Sequence, residues 1–171
     1  MPAFQVVVMG VSGCGKSTVG ELLAQRLACR FLEGDSLHPP RNVALMAAGT
    51  PLTDADRADW LTTIAQCLAQ AAATGQGLVV SCSALKRRYR DQLRASCPSL
   101  RLVFLHGQAQ ALRQRLAGRS GHYMPASLLD SQLATLEPPQ PDEAALVLDI
   151  ETPAPSLADA AHHHLTGLRP A

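Results

Sequence analysis

Lysine is nearly absent from this sequence of 171 residues: Lys16 and Lys86 stand against thirteen arginines. Aromatic residues make up only 4% of the chain, and the formal net charge is +1. A dedicated nucleic-acid binder needs more positive charge and more stacking surface than this, so no nucleic-acid partner is expected. Five cysteines (Cys14, Cys29, Cys67, Cys82, Cys97) are odd in number and lack C-x-x-C spacing, which argues against a disulfide framework or a zinc ribbon. No apolar run approaches the roughly 20 residues that span a bilayer, so no membrane partner is expected. The first residues lead directly into an apolar strand without a basic leader, and the cytoplasm is the expected compartment.

What is present is ordinary globular material, 47% apolar and 17% charged, enough for one well-buried core. Short apolar runs at 4–9, 31–32, 78–82, 100–105 and 145–150 read as buried strands. Between them lie segments with helical periodicity at 16–28, 41 to about 48, about 54–73, about 86–96, 109–117, about 127–136 and 156–165. Thr53, with Asp54 and Asp56 behind it, is a helix N-cap signal. Alternating strands and helices predict an α/β fold whose parallel sheet is covered on both faces. No repeat or long linker interrupts the chain, so residues 1–171 are expected to form a single domain.

The chemistry begins at the first strand's end. Gly10, Val11, Ser12, Gly13, Cys14, Gly15, Lys16 and Ser17 fit G-x-x-x-x-G-K-[ST] at every fixed position. Such a loop curls its backbone N–H groups around phosphate oxygens, and the helix that follows, from Lys16 through Thr18, adds its positive end. Lys16 is expected to reach the β- and γ-phosphates of ATP, and the Ser17 hydroxyl to ligate Mg²⁺. The chain's single asparagine, Asn42, precedes Val43, so a guanine-reading N-K-x-D motif is excluded. The third strand ends in Ser81-Cys82-Ser83 rather than in the usual Walker-B aspartate. A small-molecule kinase is the leading class.

A kinase also needs a carboxylate beside the acceptor hydroxyl. Asp35, at the end of the second strand, is the candidate. Lys86 and Arg90, four apart in a basic helix, would share a face and supply charge for an anionic acceptor. Arg115 and Arg119 lead into a Gly-rich segment suited to a lid of approximately residues 118–136 that closes over the phosphates, excludes water and neutralises transition-state charge. The triplet His162–His164 is read as a solvated helix end, because successive helical positions cannot converge on one metal.

Seven stretches together resemble the gluconokinases of the shikimate-kinase-like and nucleoside-monophosphate-kinase-like P-loop group: MGVSGCGKST, FLEGDSLHP with Arg41 and Asn42 after it, PLTDADRADWL, CSALKRRYRDQLR, RLAGRSGHYM, QLATLEPP and LDIETP. They span nearly the whole chain in the family's order. The resemblance implies transfer of the ATP γ-phosphate to the 6-hydroxyl of D-gluconate. It implies the three-layer P-loop NTP hydrolase fold, with five parallel strands in the order 2-3-1-4-5 and a mobile lid around Arg119. It also places Thr152 and Pro153 against adenine and suggests a homodimer. On the acceptor side the expected set is Asp35 at the 6-hydroxyl, His38 near the polyol, Lys86 and Arg90 at the carboxylate, with Arg41 and His122 nearby. Two alternatives remain: a sibling kinase for shikimate or a similar anionic alcohol, and an ATP-binding regulatory protein without turnover.

Overall fold

The computed structural model describes residues 2–118 and 127–167; the expected lid residues Arg119 and His122 lie outside them. Five strands form one sheet: β1 (Gln5–Met9), β2 (Arg30–Glu33), β3 (Leu78–Ser81), β4 (Arg101–His106) and β5 (Leu146–Asp149). Their order is β2-β3-β1-β4-β5, and every pairing is parallel. Seven helices among the described residues complete the chain: α1 (Lys16–Arg26), α2 (Pro40–Ala47), α3 (Asp54–Ala73), α4 (Arg87–Ser96), α5 (Ala109–Ala117), α6 (Ser127–Thr135) and α7 (Ala154–Thr166).

The central strand shows why three layers form. All five residues of β1 are buried, and the strand period of two sends them alternately to opposite faces. Val7 and Met9 join Trp60, Leu61, Ile64 and Leu68 of α3 and Leu93 of α4. Val6 and Val8 join Val19 and Leu23 of α1, Leu112 of α5 and Leu157 of α7. Two cores, one on each face, therefore hold the strand ends in register, and all five C-terminal ends open on the same edge.

Local signals set the boundaries that matter for that edge. The Thr53 hydroxyl accepts from the Asp56 N–H at 3.1 Å, and the Asp56 carboxylate accepts from the Thr53 N–H at 2.9 Å. This reciprocal box fixes the start of α3. The α4 boundary differs from the sequence expectation: Lys86 is the N-cap, in extended conformation, and the helix begins at Arg87. Lys86 and Arg90 therefore do not share a helical face. Helix α7 begins two residues earlier than its apolar periodicity indicates, because Pro155 is accommodated in the first turn.

Gly34 fixes the junction after β2. A Cβ there would stand 1.9 Å from the Ser81 carbonyl oxygen, so no side chain fits between β2 and β3 at this level. The chain passes close to β3 and turns into a short 3₁₀ helix, Gly34–Leu37. Glu33 and Asp35 are thereby held on either side of a close backbone contact.

Candidate active site

The loop Gly10–Gly15 joins β1 to α1. At its start Gly10 adopts φ +151, and a Cβ there would meet Cys14 Sγ at 2.7 Å and the Leu105 carbonyl at 2.8 Å. Cys14 is 1% exposed and belongs to the core beneath the loop; its role is packing. Ser12, Gly13, Gly15, Lys16, Ser17, Thr18 and Asp35 line a cavity at the sheet edge. The Lys16 ammonium donates to the Val11 carbonyl at 3.1 Å, which folds it along the loop whose phosphates it is suited to hold. Arg115 stands close by: its Nη1 would lie 3.8 Å from a Cβ on Gly15. Its Nη2 donates to the Ile150 carbonyl at 2.5 Å, tying α5 to the turn that leads into Thr152 and Pro153.

One residue of this half is not anticipated from the sequence. Glu33, the last residue of β2, accepts from the Ser17 hydroxyl and, at 2.5 Å, from the Ser81 hydroxyl. Ser81 also accepts from the Gly34 N–H at 3.2 Å. The serine that ends β3 where a Walker-B aspartate is usual is thus answered by a glutamate from the neighbouring strand. Ser17 and Glu33 together place a hydroxyl and a carboxylate side by side, the hard oxygen donors that suit Mg²⁺.

A second cavity lies beside the first. Its wall includes Ser12, Lys16, Asp35, His38, Arg57, Trp60, Ser83, Leu85 and Gln132. Ser12, Lys16 and Asp35 are common to both cavities, so the phosphate loop and the second cavity meet at these three residues. Among the described residues lining the two spaces, Asp35 is the one carboxylate. Its charge, after burial, helps push the neighbouring Cys82 thiol up to about 12, which keeps that sulfur protonated and chemically silent.

His38 forms a platform with Trp60: the rings stack with centroids 4.1 Å apart and planes 15° from parallel. The Trp60 indole N–H is anchored on the Gly34 carbonyl at 2.8 Å. Asn42 Nδ2 approaches His38 Nδ1 at 3.2 Å and donates to the Asp56 carbonyl at 2.8 Å. Because an amide nitrogen only donates, Nδ1 accepts and the ring proton sits on Nε2. Burial, reinforced by the Arg57 charge, lowers the His38 pKa to about 4. The imidazole is therefore neutral near pH 7, a fixed hydrogen-bond donor.

Besides Lys16, the wall carries a second cation, Arg57. It donates to the Tyr89 hydroxyl at 3.1 Å. Tyr89 donates in turn to Asp54, which also pairs with Lys86 at 3.1 Å and Arg88 at 2.8 Å. Those bonds, first from Tyr89 and then from Lys86, hold the Asp54 carboxyl below its ordinary range. Lys86 is thus engaged outside the described cavity wall. Arg90 requires a clearer correction: its side chain is 0% exposed, with Nε and Nη2 on Glu143 at 2.7 and 3.0 Å. Its Nη1 donates to the Ala84 and Leu85 carbonyls, so the guanidinium is consumed in holding α4 and cannot face an acceptor. Arg41 does not line the described cavity wall; its side chain is 77% exposed and directed at Asp56, 3.3 Å away.

The periodicity carried a signal for Arg57. Arg57, Trp60, Leu61 and Ile64 recur at i, i+3, i+4 and i+7, which puts the arginine on the inward stripe of α3. Glu33 had only its place at a strand end.

A phosphate loop between the first strand and helix of an all-parallel sheet, opening onto a second cavity that holds a carboxylate and a cation, defines a P-loop kinase. The comparisons agree. Residues 6–139 match the family model described as AAA domain. A gluconokinase of Gluconobacter oxydans (strain 621H) is 53% identical over 141 residues, covering 82% of this chain and 79% of that one. The crystal structure of a gluconokinase from Sinorhizobium meliloti 1021 superposes with a TM-score of 0.85 at 47% identity, covering 97% and 94% of the two chains. An unliganded sugar kinase from Janibacter sp. HTCC2649 gives 0.92 at 46% identity, covering 96% and 95%. The chain belongs to the gluconokinase family, and with it to the ATP-dependent phosphotransferases.

Proposed function

We propose that this protein transfers the γ-phosphoryl group of ATP to the 6-hydroxyl of D-gluconate, as a single kinase domain with its lid at about residues 118–136. The observation that carries this reading is the meeting of the phosphate and acceptor cavities at Ser12, Lys16 and Asp35. Residues Gly10–Thr18 bind the phosphates, with Arg115 beside them, and Thr152 and Pro153 lie toward the base. Ser17 and Glu33 would hold Mg²⁺, which would neutralise charge on the phosphates. Asp35 orients the acceptor hydroxyl and takes its proton as the new P–O bond forms. Arg119, in its Gly-rich segment, is assigned to transition-state charge and His122 to the acceptor; the cysteine pattern supports a cytoplasmic setting, and the family resemblance supports a homodimer.

For the acceptor, His38 presents Nε2–H to a polyol hydroxyl, and Arg57 receives the carboxylate. Arg57 takes the role first assigned to Lys86 and Arg90, because it is the arginine on the cavity wall. Arg57→Gln is expected to raise the gluconate KM about 10- to 100-fold with little change in the ATP KM, the size of one lost charge-assisted hydrogen bond. Steady-state kinetics with each substrate varied in turn measures this. A gluconate KM within about twofold of the parent would remove Arg57 from the carboxylate.

The direct test of the activity is ADP release with Mg-ATP, alone and with D-gluconate, shikimate or nucleoside monophosphates. Stimulation by gluconate and not by the others is the expected result. Stimulation by shikimate instead would keep the donor half of the site and overturn the acceptor. ATP binding without stimulation by any of them would favour a regulatory role.

A further inference from the structure

A side chain from outside the phosphate loop and the sheet also reaches the place where the two cavities meet. Gln132, on α6, accepts a hydrogen bond from the Ser12 backbone N–H through Oε1 at 2.6 Å and lines the acceptor cavity. A backbone N–H can only donate, so this bond fixes the orientation of the carboxamide. Its oxygen addresses the loop, and its nitrogen, with two N–H groups, is the opposite corner of the same planar group.

The helix that carries Gln132 is held on the acceptor side. Just beyond α6, the Glu137 N–H donates to the Leu85 carbonyl at 2.8 Å. The Glu137 carboxylate accepts from the Arg87 N–H at 2.9 Å. Leu85 is itself part of the acceptor wall. Gln132 therefore rises from an element tied to the acceptor cavity and ends on the loop that grips the donor. Its placement depends on both halves of the site.

We propose that Gln132 is a catalytic residue: Ser12 orients its carboxamide so that Nε2 donates to an oxygen of the phosphoryl group as that group passes from ATP to the acceptor. The inference rests on the kinase reading above. The P–O bond to ADP breaks, the bond to the acceptor oxygen forms, and the hydroxyl proton goes to Asp35; Gln132 makes and breaks no covalent bond. Negative charge spreads over the three equatorial oxygens of the moving group. Lys16 and the loop meet those oxygens from the donor side, whereas the acceptor side carries the Asp35 carboxylate, which repels them. A neutral donor held there offsets that repulsion and needs no reorganisation during the step. Lysine or arginine in its place would pair with Asp35 and weaken it as a base. The amide donates without that cost.

The alternative role, a tether that only shapes the phosphate loop, predicts different behaviour from two variants. Q132E keeps an oxygen for the Ser12 N–H but loses the N–H donors when ionised. Q132A loses both. The donor role predicts kcat lower by about 100-fold in each at pH 8, the scale of one preorganised donor. ADP affinity should stay within about twofold and Tm within about 2 °C of the parent. In Q132E the loss should shrink by at least about fivefold, relative to the parent's own profile, as pH falls to 6 and the introduced carboxyl regains a proton to donate. Q132A should show no such recovery. Q132E within about threefold of the parent at pH 8 would overturn the proposal, as would loss of ADP affinity and Tm in step with kcat in Q132A. Parent turnover with gluconate in the same assay separates failure of this inference from failure of the substrate reading.

Discussion

Asp35→Asn is expected to lower kcat for gluconate phosphorylation about a thousandfold, the middle of the range for a positioned acid–base group. Two features make the effect large. Asp35 belongs to both cavities, so it faces the acceptor hydroxyl and the phosphoryl group together. No second carboxylate among the described wall residues can replace it, and His38, with its pKa near 4, holds its ring nitrogen in hydrogen bonding rather than proton transfer. The close passage of Gly34 over Ser81 fixes the backbone beside it, so an asparagine should occupy the same place and still orient the hydroxyl. Nucleotide affinity should therefore remain within about twofold, and the gluconate KM should move much less than kcat. Initial-rate kinetics with a parallel ADP titration reads all three quantities. A kcat within about tenfold of the parent would assign the proton to another acceptor.

The second large effect falls on stability. Glu143→Ala is expected to destabilise the protein by about 3–5 kcal/mol, because it leaves the Arg90 guanidinium buried without its partner. The pair is fully enclosed. Glu143 also accepts from Arg94 at 3.0 Å and from the Gln140 N–H at 2.8 Å. Replacing both members, as Arg90→Met with Glu143→Leu, should recover most of the loss, since an apolar pair of similar volume carries no stranded charge. Urea denaturation of the three proteins measures this. Equal loss in the single and double replacements would mean that a stranded Arg90 charge is not the source of the effect.

The same pair sets an acid limb. Burial alone would raise the Glu143 carboxyl, but hydrogen bonds from Arg90, Gln140 and Arg94 outweigh it and hold the pKa at about 2, against an ordinary 4.5. A depressed carboxylate stabilises the fold fully above its unfolded value and progressively less as pH falls toward its folded one. The contribution is thus complete above about pH 4.5 and lost on the way to 2. Stability measured across that window should fall more steeply in the parent than in the double replacement.

The architecture was largely legible because each strand and helix carries its own period. The apolar runs gave five strands, Thr53 gave the start of α3, and the phosphate loop announced itself by spacing. Strand order came through family resemblance and is found as expected. The acceptor wall was less legible because it depends on which residue of a charged run turns inward. Lys86, Arg87, Arg88 and Arg90 look alike in sequence, yet Arg90 is sealed in the core while Arg88 is 65% exposed. Its partner Glu143 lies 53 residues away, beyond any local pattern. Arg57 was obscured by the helix-start acids around it, although its spacing to Trp60 marks the buried face. Glu33 required the neighbouring strand to be seen, since only the pairing of β2 with β3 brings it to Ser81.

The order of strands also has a consequence for biosynthesis. Gln5–Met9 is made before both of its neighbours yet sits at the middle of the sheet, where Val6 pairs with Val79 on one side and Arg101 on the other. At ordinary translation rates the ribosome needs on the order of ten seconds to supply both neighbours. During that interval the nascent chain carries an unpaired apolar strand, which is a target for chaperones or for another nascent chain. Late-arriving partners also mean that contacts distant in sequence must form before the sheet closes, and this slows refolding. The central strand that anchors the finished enzyme is thus a segment in need of protection while it is being made.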